Sequence, residues 1–174
     1  ISTSLKEEKG LPMKAIRIKS FGGTSVLQLE EVSVPKPKAD EALVKIEAIG
    51  VNYIDIYHRI GLYPNNLPFT PGMEAAGIVE SIGEDVTKVK TGGRVAYVMQ
   101  IGSYAEYAVV PAWKLAPIPA DVSCENAAAL MLQGMTAEYL THSTYRIQKG
   151  DTVLIHAAAG GVGRLLVHFA KLCG

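Results

Sequence analysis

The chain has 174 residues, and its 17 Lys and Arg balance its 17 Asp and Glu, so its formal net charge at pH 7 is zero. A neutral chain has no bulk field that would attract nucleic acid or an anionic membrane. No apolar run approaches the ~20 residues that a membrane-spanning helix needs, and no signal peptide is apparent. Length and composition therefore predict one good core or two small domains, with no nucleic-acid or membrane partner.

The two cysteines and the first residues bear on the surroundings of the protein and on its boundaries. Cys124 and Cys173 lie far apart, each in an apolar helical pattern. Such thiols are typical of a reduced, cytoplasmic protein rather than of a disulfide or a metal pair. Residues 1–12 are polar and aperiodic, and a strand-like pattern starts at Met13. We therefore expect a flexible N-terminal extension over residues 1–12.

Short strands separated by glycine-rich turns are predicted from residue 13 to about residue 119. Ile16 and Ile18 alternate with charged residues, which predicts a strand with both isoleucines on its buried face. Val44 and Ile46 face inward in the same way on a later strand. Further strands are predicted at 77–82, 94–99 and 104–109.

A bend is predicted in the segment between the first two of these strands. Leucines occupy the odd positions 27 and 29, whereas valines occupy the even positions 32 and 34. Odd and even positions of a strand face opposite sides, so a bulge near Glu30 is expected to bring all four onto one face. Strands of this length and spacing favour a small, strongly bent β-barrel with a few short helices. Trp113, near the end of this region, is expected in the core.

Helical patterns begin after residue 120. Asp121 or Ser123 caps a helix that runs through residues 127–132, and residues 136–145 form a second helix. The most informative stretch follows at residues 151–171, where Val153 to Ile155 form an apolar run typical of a strand buried on both faces.

A turn of small residues comes next, and an amphipathic helix is predicted beyond it. Its apolar residues recur at helical spacing and are Val162, Leu165, Leu166, Phe169, Ala170 and Cys173. Strand, turn and helix in this order are typical of the start of a dinucleotide-binding βαβ unit.

The turn itself matches the glycine-rich dinucleotide fingerprint as Ala158-x-Gly160-x-x-Gly163, with alanine at its first position. Gly160 lets the backbone approach a pyrophosphate, and Gly163 lets the helix pack closely. The free N–H groups at the helix start, which carry roughly half a positive charge, then face the phosphates. The predicted cofactor-binding residues here are Ala159, Gly160, Gly161, Val162 and Gly163. The alternative interpretation is a plain βα turn without a ligand.

Five motifs in sequence order carry a resemblance to a known family. They are Ile-Gly-Val-Asn-Tyr-Ile-Asp (49–55), Gly-Leu-Tyr-Pro (61–64), Pro-Gly-Met-Glu-Ala-Ala-Gly (71–77), Leu-Gln-Gly-Met-Thr-Ala (132–137) and His-Ala-Ala-Ala-Gly-Gly-Val-Gly (156–163). With them, the chain from Met13 onward resembles the zeta-crystallin-like quinone oxidoreductases of the medium-chain dehydrogenase/reductase superfamily.

The resemblance implies a mixed β and α/β fold. A GroES-like bent β-barrel catalytic domain over 13–132 precedes the first βα unit of a Rossmann NADP-binding domain over 133–174. The resemblance also implies that the chain is truncated. The remaining Rossmann strands and the return segment of the catalytic domain would be missing, so we expect this fragment to be inactive by itself.

The resemblance also draws attention to metal ligands. Zinc alcohol dehydrogenases of the superfamily carry a ligand cysteine where this chain has Asn52, a ligand histidine where it has Met73, and a third ligand near Leu132. Asn, Met and Leu cannot assemble a tetrahedral zinc site, so we expect no metal. Glu74, beside the lost ligand, is expected to be a buried, hydrogen-bonded structural carboxylate.

A zinc-free site suits an acceptor that is already electrophilic. A quinone spreads the added charge through its conjugated system, so holding donor and acceptor about 3–3.5 Å apart supplies much of the acceleration. An enzyme of simple alcohols and ketones relies far more on a metal to stabilise the oxyanion.

The resemblance implies catalytic roles for four side chains. Asn52 bonds to the nicotinamide half or to the acceptor, although a helix N-cap explains its position equally well. Thr136, at the start of the second predicted helix, touches the nicotinamide half or is likewise a cap. Tyr57 and Tyr63 line the acceptor pocket, where a ring stacks on a flat acceptor and a phenol bonds its carbonyl oxygen. Each tyrosine is alternatively an ordinary packed aromatic.

NADPH as the cofactor and a homodimer as the assembly follow from the resemblance alone, because the residue that selects NADP over NAD lies about 20 residues beyond the glycines. The expected function is therefore that of an NADPH:quinone oxidoreductase acting on a quinone or similar conjugated carbonyl. An enoyl-thioester reductase of the same superfamily is one alternative. A non-enzymatic crystallin-like or RNA-binding protein is another, and the lack of a basic, aromatic stripe disfavours RNA.

Overall fold

The computed structural model describes residues 11–174, so the predicted extension over residues 1–12 lies almost entirely outside the described residues. The Leu11 carbonyl accepts a hydrogen bond from the Val34 N–H at 2.9 Å, and Pro12 begins the first strand. The chain divides between Ala128 and Ala129 into two compact units, described in turn below. Among the described residues, no helix combines the length and apolar character needed to cross a bilayer.

The first unit consists mainly of antiparallel strands. The strands are β1 (Pro12–Arg17), β2 (Gln28–Ser33), β3 (Glu41–Gly50), β4 (Glu74–Ile82), β5 (Arg94–Val98), β6 (Tyr107–Pro111) and β7 (Ala116–Pro117). Helix α1 covers Tyr53–Ile60, and single 3₁₀ turns cover Thr24–Val26 and Ala112–Lys114. Among the described residues, the strands form a two-stranded sheet and a five-stranded sheet.

The two-stranded sheet is a regular ribbon. β1 and β2 pair antiparallel without a break from Pro12 opposite Ser33 to Arg17 opposite Gln28. The bulge predicted near Glu30 is therefore wrong. A regular strand accommodates both sets of residues, because they face opposite sides. The leucine at 29 is 67% exposed, whereas the valines at 32 and 34 pack on the buried side.

The predicted buried face of β1 is also wrong. Met13 and Ala15 are buried and pack against Ala105, and Ile16 on the opposite face is only partly buried. Ile18 is buried as expected, but it lies beyond the end of β1, where its N–H donates to the Phe69 carbonyl at 2.8 Å.

The five-stranded sheet holds the main core. Its order is β6-β3-β4-β5-β7, with every neighbouring pair antiparallel. The inward face predicted for β3 is confirmed, because Val44 is fully buried and Ile46 packs against the core. The core residues are Ala42, Val44, Ala75, Val79, Val86, Val89, Val95, Tyr97, Ala108, Val110, Ala112 and Leu115.

Irregularities interrupt the pairing of β3 with β4, at positions that the sequence analysis did not predict. The register between β3 and β4 shifts at Leu43/Val44 and again at Ile46/Ala48, and such bulges increase local twist and curvature. A bridge between Ala15 and Ala105 links β1 to the segment before β6, so the ribbon closes onto the larger sheet. The 3₁₀ turn after β6 leaves Trp113 70% exposed, and its predicted place in the core is wrong.

The second unit is helical. Helix α2 covers Cys124–Tyr139, starting in the first unit, and a π-helical turn covers Leu140–Thr144. Ser123 caps α2 as predicted, because its Oγ accepts from the Asn126 N–H at 3.2 Å. The prediction of two separate helices over residues 127–145 is wrong. α2 continues unbroken through the region where the second helix was expected to start.

The nucleotide-binding stretch is confirmed in part. Helix α3 covers Gly161–Leu172, as its apolar spacing predicted. The segment from Val153 to Ile155 is not a strand, and Leu154 is 85% exposed. A segment becomes a strand only when a second strand satisfies its backbone groups, and the described part of this unit contains no other strand.

Tyr97→Phe tests the packing of the main core. Tyr97 is fully buried, and its hydroxyl has no hydrogen-bond partner among the described residues. We expect the variant to be as stable as the wild type at pH 7, or more stable by up to about 1 kcal/mol, because it removes an uncompensated buried hydroxyl.

The same substitution has a pH signature. Burial raises the pKa of the Tyr97 phenol well above its ordinary value. Stability that depends on the neutral phenol is therefore lost as the pH rises through about 10, where the unfolded tyrosine ionises, and the variant should lose less. Urea unfolding at a series of pH values from 7 upward measures both effects. A clear destabilisation at pH 7, or parallel curves at high pH, would contradict this account of the core.

Candidate active site

Three strands of the larger sheet meet at one end. β3 ends at Gly50, β4 begins at Glu74 and β5 ends at Val98, and the register pairs Glu74 with both of the others. Because β4 runs antiparallel to both neighbours, the residues that follow β3 and β5 gather beside the start of β4. Asn52 and helix α1 follow β3 and therefore belong to this end of the sheet.

Asn52 occupies the N-cap position of α1, with φ −128° and ψ 155°. Its backbone N–H donates to Asp55 Oδ2 at 2.8 Å, as part of a capping box between these two residues. Its side-chain amide also donates from Nδ2 to Glu74 Oε1 at 2.7 Å. The cap interpretation is thus confirmed for the backbone position, and the side chain is directed to the start of β4.

Glu74 is buried to 1% exposure, which confirms its predicted place as a buried, hydrogen-bonded carboxylate. The chain makes room for it with Gly50, where a Cβ would lie 2.0 Å from Glu74 Oε1. A buried carboxylate is tolerated only when its oxygens are hydrogen-bonded, so Gly50 and Asn52 together allow Glu74 to occupy this position.

Asp55, in the first turn of α1, is a second buried carboxylate at 6% exposure. Its Oδ2 accepts from the Tyr104 hydroxyl at 2.9 Å as well as from the Asn52 N–H, whereas its Oδ1 has no partner among the described residues. Burial, and then the hydrogen bond and charge of Asp55, raise the pKa of Tyr104 well above its usual range. Tyr104 is therefore a neutral donor that fixes Asp55.

A cavity of about 530 Å³ opens between α1 and the start of β2. Its lining is mostly apolar or aromatic and consists of Leu27, Val51, Asn52, Tyr53, Asp55, Ile56, Arg59, Pro71 and Tyr104. Arg59 donates from Nε to the Gly22 carbonyl at 3.3 Å, which holds the cation at the cavity wall. An apolar pocket with a few directed polar groups is typical of small-molecule sites.

A row of tyrosines lies along α1 and the turn after it. The ring of Tyr57 meets Tyr53 edge-on at 5.5 Å and Tyr63 edge-on at 5.4 Å between centroids. The Tyr63 N–H donates to the Tyr57 carbonyl at 3.2 Å, which fixes the turn against the helix. Tyr53 and Tyr63 are mostly exposed, so the row offers aromatic faces and phenols to a flat ligand.

The second unit carries the glycine-rich turn. Gly160 is the N-cap of α3, and Ala159, Gly160 and Gly161 are exposed, which leaves N–H groups at the start of a 12-residue helix open to a ligand. A Cβ on Gly163 would lie 2.2 Å from the Ala157 carbonyl oxygen, so only glycine permits this close approach of turn and helix. The geometry fits the pyrophosphate of a dinucleotide.

Thr136 lies inside α2 rather than at a helix start, so its interpretation as a cap is wrong. Its Oγ1 donates to the Leu132 carbonyl of the preceding turn at 2.7 Å. This back-bond satisfies the hydroxyl hydrogen within the helix and leaves the oxygen as an acceptor. Its predicted contact with the nicotinamide half stays a prediction.

The structure brings some of the predicted residues together. Asn52, Tyr57 and Tyr63 share α1 and its flanking turns in the first unit. Thr136 and the glycine-rich turn belong to the second unit. Sequence analysis missed Tyr53, Arg59 and Tyr104. The i, i+3 and i+7 spacing from Asn52 would have indicated the Asp55 and Arg59 side of α1, whereas nothing local in the sequence connects Tyr104 to Asp55.

Potential metal ligands are sparse around this site. No group of three or more His, Cys, Asp or Glu side chains in the described part of the chain is arranged to hold a metal ion. Met73, at the position of the zinc ligand in the alcohol dehydrogenases, is buried to 7% exposure.

Fold and site together define an alcohol-dehydrogenase-like β domain followed by a glycine-rich turn and helix of the nucleotide-binding type. Residues 38–120 match the family model of the alcohol dehydrogenase GroES-like domain. The chain is similar to the quinone oxidoreductase of Pseudomonas aeruginosa, with 44% identity over 163 residues that cover 92% of this chain and 50% of the relative.

Solved structures of quinone oxidoreductases are similar to the chain as well. The quinone oxidoreductase of Pseudomonas syringae pv. Tomato DC3000 superimposes with a TM-score of 0.91 at 44% identity, covering 93% of this chain and 50% of the other. The Escherichia coli quinone oxidoreductase complexed with NADPH gives a TM-score of 0.90 at 43% identity, covering 92% and 50%. Over more than nine tenths of its length the chain is thus similar to quinone oxidoreductases, and residues 38–120 match the alcohol dehydrogenase GroES-like domain.

These similarities confirm the resemblance drawn from the five motifs and the predicted fold class. The chain spans about half the length of the curated relatives that it matches.

Gly50→Ala tests whether the absence of a side chain at Gly50 is what allows the Glu74 carboxylate to occupy its buried position. An added methyl group would collide with Glu74 Oε1 and push the carboxylate away from Asn52. We expect a loss of about 2–4 kcal/mol in the free energy of unfolding, as for other buried networks that lose a partner.

Gly23→Ala is the matched control. A Cβ there meets nothing within 4 Å, and Gly23 has an ordinary φ of −72°. It should change stability by less than about 0.5 kcal/mol. Equal effects of the two variants in urea unfolding would show that Glu74 is not held by this contact.

Proposed function

We propose that the protein is an NADPH:quinone oxidoreductase, which transfers hydride from NADPH to a quinone or similar conjugated acceptor without zinc. The observation that carries the proposal is the tyrosine row beside Asn52, in a chain 44% identical to a quinone oxidoreductase. A flat aromatic surface with phenols at its edge suits a flat ring with carbonyl oxygens. Catalytic and Rossmann domains over 13–132 and 133–174, a cytoplasmic location and a homodimer are parts of this proposal.

NADPH is the proposed cofactor, and the solved Escherichia coli relative in complex with NADPH supports this choice. Backbone N–H groups from Ala159 to Gly163 would hold the pyrophosphate at the start of α3. The hydroxyl oxygen of Thr136 and the side chain of Asn52 would meet the nicotinamide half. When bound, NADPH supplies a hydride.

The residues of the chain would orient the acceptor and balance its charge. One hydride and one proton convert a quinone to a hydroquinone. Tyr57 and Tyr63 would stack against the ring, and a phenol would donate a hydrogen bond to the oxygen on which negative charge develops. The conjugated ring shares that charge, so neutral donors suffice where a simple ketone would need a stronger electrophile.

Zinc is left out of the proposal because of the residue types at the site. The Asn52 amide is a poor zinc ligand and already donates to Glu74, and Met73 offers only a thioether. Elemental analysis of the purified complete gene product should find far less than one zinc per chain. Stoichiometric zinc whose removal abolishes turnover would refute this part of the proposal.

Acceptor choice tests the reaction. We expect the complete gene product to oxidise NADPH with 1,4-benzoquinone at a kcat/KM at least about a hundredfold above that with a crotonyl thioester, because the site is assigned to ring carbonyls. Initial rates of NADPH absorbance loss measure both. Turnover with the thioester alone would favour an enoyl-thioester reductase. Tight RNA binding in a salt-titrated gel shift, without turnover, would favour the non-enzymatic alternative.

Tyr63→Phe tests the phenol. The substitution keeps the ring and removes the donor, so kcat/KM for the quinone should fall by about tenfold or more with little change in stability. Tyr139→Phe is the control, since Tyr139 in α2 is exposed to 49% and Tyr63 to 51%. Equal quinone kinetics of the two variants would remove Tyr63 from the proposed site.

A further inference from the structure

Tyr104 reaches the candidate site from outside helix α1. It lies between β5 and β6, where its N–H donates to the Pro71 carbonyl at 3.0 Å and its carbonyl accepts from the Ile16 N–H at 2.8 Å. Its phenol donates across to Asp55 Oδ2 on α1 at 2.9 Å. Gly72 leaves room for the ring, because a Cβ there would collide with it. The position of the phenol is therefore set by β1 and the segment before β4 rather than by α1.

The carboxylate that Tyr104 contacts also holds Asn52. Asp55 Oδ2 accepts from the Asn52 backbone N–H at 2.8 Å as well as from the Tyr104 hydroxyl, and Asp55 is buried to 6% exposure. A buried carboxylate that serves two donors has a fixed orientation, because turning it would leave a donor unsatisfied. Its Oδ1 has no partner among the described residues, so nothing there replaces the phenol.

The contacts continue to the Asn52 side chain. Asn52 Nδ2 donates one N–H to the buried Glu74 carboxylate at 2.7 Å, which leaves the second N–H for a ligand. Two buried carboxylates thus hold Asn52, Glu74 through its side chain and Asp55 through its main chain. Asn52, Asp55 and Tyr104 all line the cavity of about 530 Å³ beside α1, so the linked groups border one ligand-sized space.

The phenol of Tyr104 is suited to a fixed hydrogen bond. Burial, followed by the hydrogen bond and the charge of Asp55, raises its pKa above the usual range, so it keeps its hydrogen at neutral pH. A hydroxyl that donates to a carboxylate forms a charge-assisted bond, which is shorter and stronger than a bond between neutral groups. Loss of this donor would loosen Asp55 and, with it, the start of α1.

We propose that Tyr104 is a positioning residue for hydride transfer, and that it acts through Asp55 on the Asn52 amide. The inference rests on the proposed reduction of a quinone by NADPH, in which Asn52 meets the nicotinamide half, and it adds a residue to that machinery. The phenol fixes Asp55, and Asp55 fixes the backbone that carries the amide. Because the reacting atoms must lie about 3–3.5 Å apart, a small displacement of Asn52 slows the transfer more than it weakens binding.

Tyr104→Phe tests the proposal in the complete gene product, because it keeps the ring and removes the donor. The single-turnover rate constant for NADPH oxidation by 1,4-benzoquinone should fall by about tenfold. The Kd for NADPH should change by less than about twofold. This rate constant does not depend on the amount of folded enzyme, so a merely structural loss leaves it unchanged. A rate constant within about twofold of the wild type would overturn the proposal.

Tyr107→Phe is the matched control. Tyr107 follows Tyr104 by three residues and is likewise partly buried, but it lines a different cavity together with Met13 and Val32. Its loss of a phenol should leave the single-turnover rate constant at the wild-type value. A decrease equal to that in Tyr104→Phe would overturn the proposal, because the effect would not be specific to the donor on Asp55.

A double-mutant cycle tests the route through Asp55. Asp55→Ala removes the acceptor of both donors and should slow single turnover at least as much as Tyr104→Phe. Adding Tyr104→Phe to Asp55→Ala should then change the rate constant by less than about twofold, because the phenol has no carboxylate left to fix. Effects that multiply in the double variant would show that Tyr104 acts without Asp55, and this would overturn the proposed route.

The NMR resonances of the Asn52 side-chain amide separate this inference from the proposed reaction. They are assigned by their loss in Asn52→Asp, and they should shift in Tyr104→Phe but not in Tyr107→Phe. A shift in a protein that does not oxidise NADPH with the quinone would refute the proposed reaction and keep the link from Tyr104 to Asn52. Turnover by the wild type, with neither the amide resonances nor the rate constant altered in Tyr104→Phe, would do the reverse.

Discussion

The hydrogen bond from Asn52 Nδ2 to Glu74 Oε1 is the interaction on which the geometry of the first unit's site depends. It joins the end of β3, the start of α1 and the start of β4 at one point. A fully buried carboxylate would be costly without such a donor. The sequence meets the steric requirement at Gly50, which leaves no atom where Glu74 lies. A second buried carboxylate, Asp55, is held in parallel by the Tyr104 hydroxyl.

These hydrogen bonds determine which polar groups of the site remain available to a ligand. One N–H of the Asn52 amide is committed to Glu74, which leaves the second N–H for a ligand. Asp55 has only Oδ1 without a partner in the described part of the chain. The groups most open to an acceptor are therefore phenols. That is a site of neutral donors and aromatic surface, the features on which the proposed reduction of a quinone rests.

Features set by neighbouring residues, such as strand faces, helix caps and helix spacing, were predictable from the sequence. Features that depend on contacts between distant parts of the chain were not. The alternation at Val44 and Ile46, the cap at Ser123 and the spacing of α3 follow from side-chain periodicity, and all were confirmed. Two separate helices were predicted over residues 127–145, but α2 runs through this region, and the Thr136 hydroxyl bonds to the Leu132 carbonyl within it. The segment from Val153 to Ile155 has strand composition, yet strand formation requires a partner that composition cannot supply. The Tyr104–Asp55 contact joins residues 49 positions apart and leaves no local pattern.

The strained turn at Met99 and the cap at Asn52 both restrain the backbone beside β4. A site that works through positioning needs a backbone that does not relax when the acceptor enters. On one side of β4 the N-cap and Glu74 fix Asn52. On the other, the Lys114 ammonium donates to the carbonyl of Met99, whose φ of +57° a methionine would not adopt by itself. Each of these hydrogen bonds fixes the backbone that follows one of the two strands beside β4.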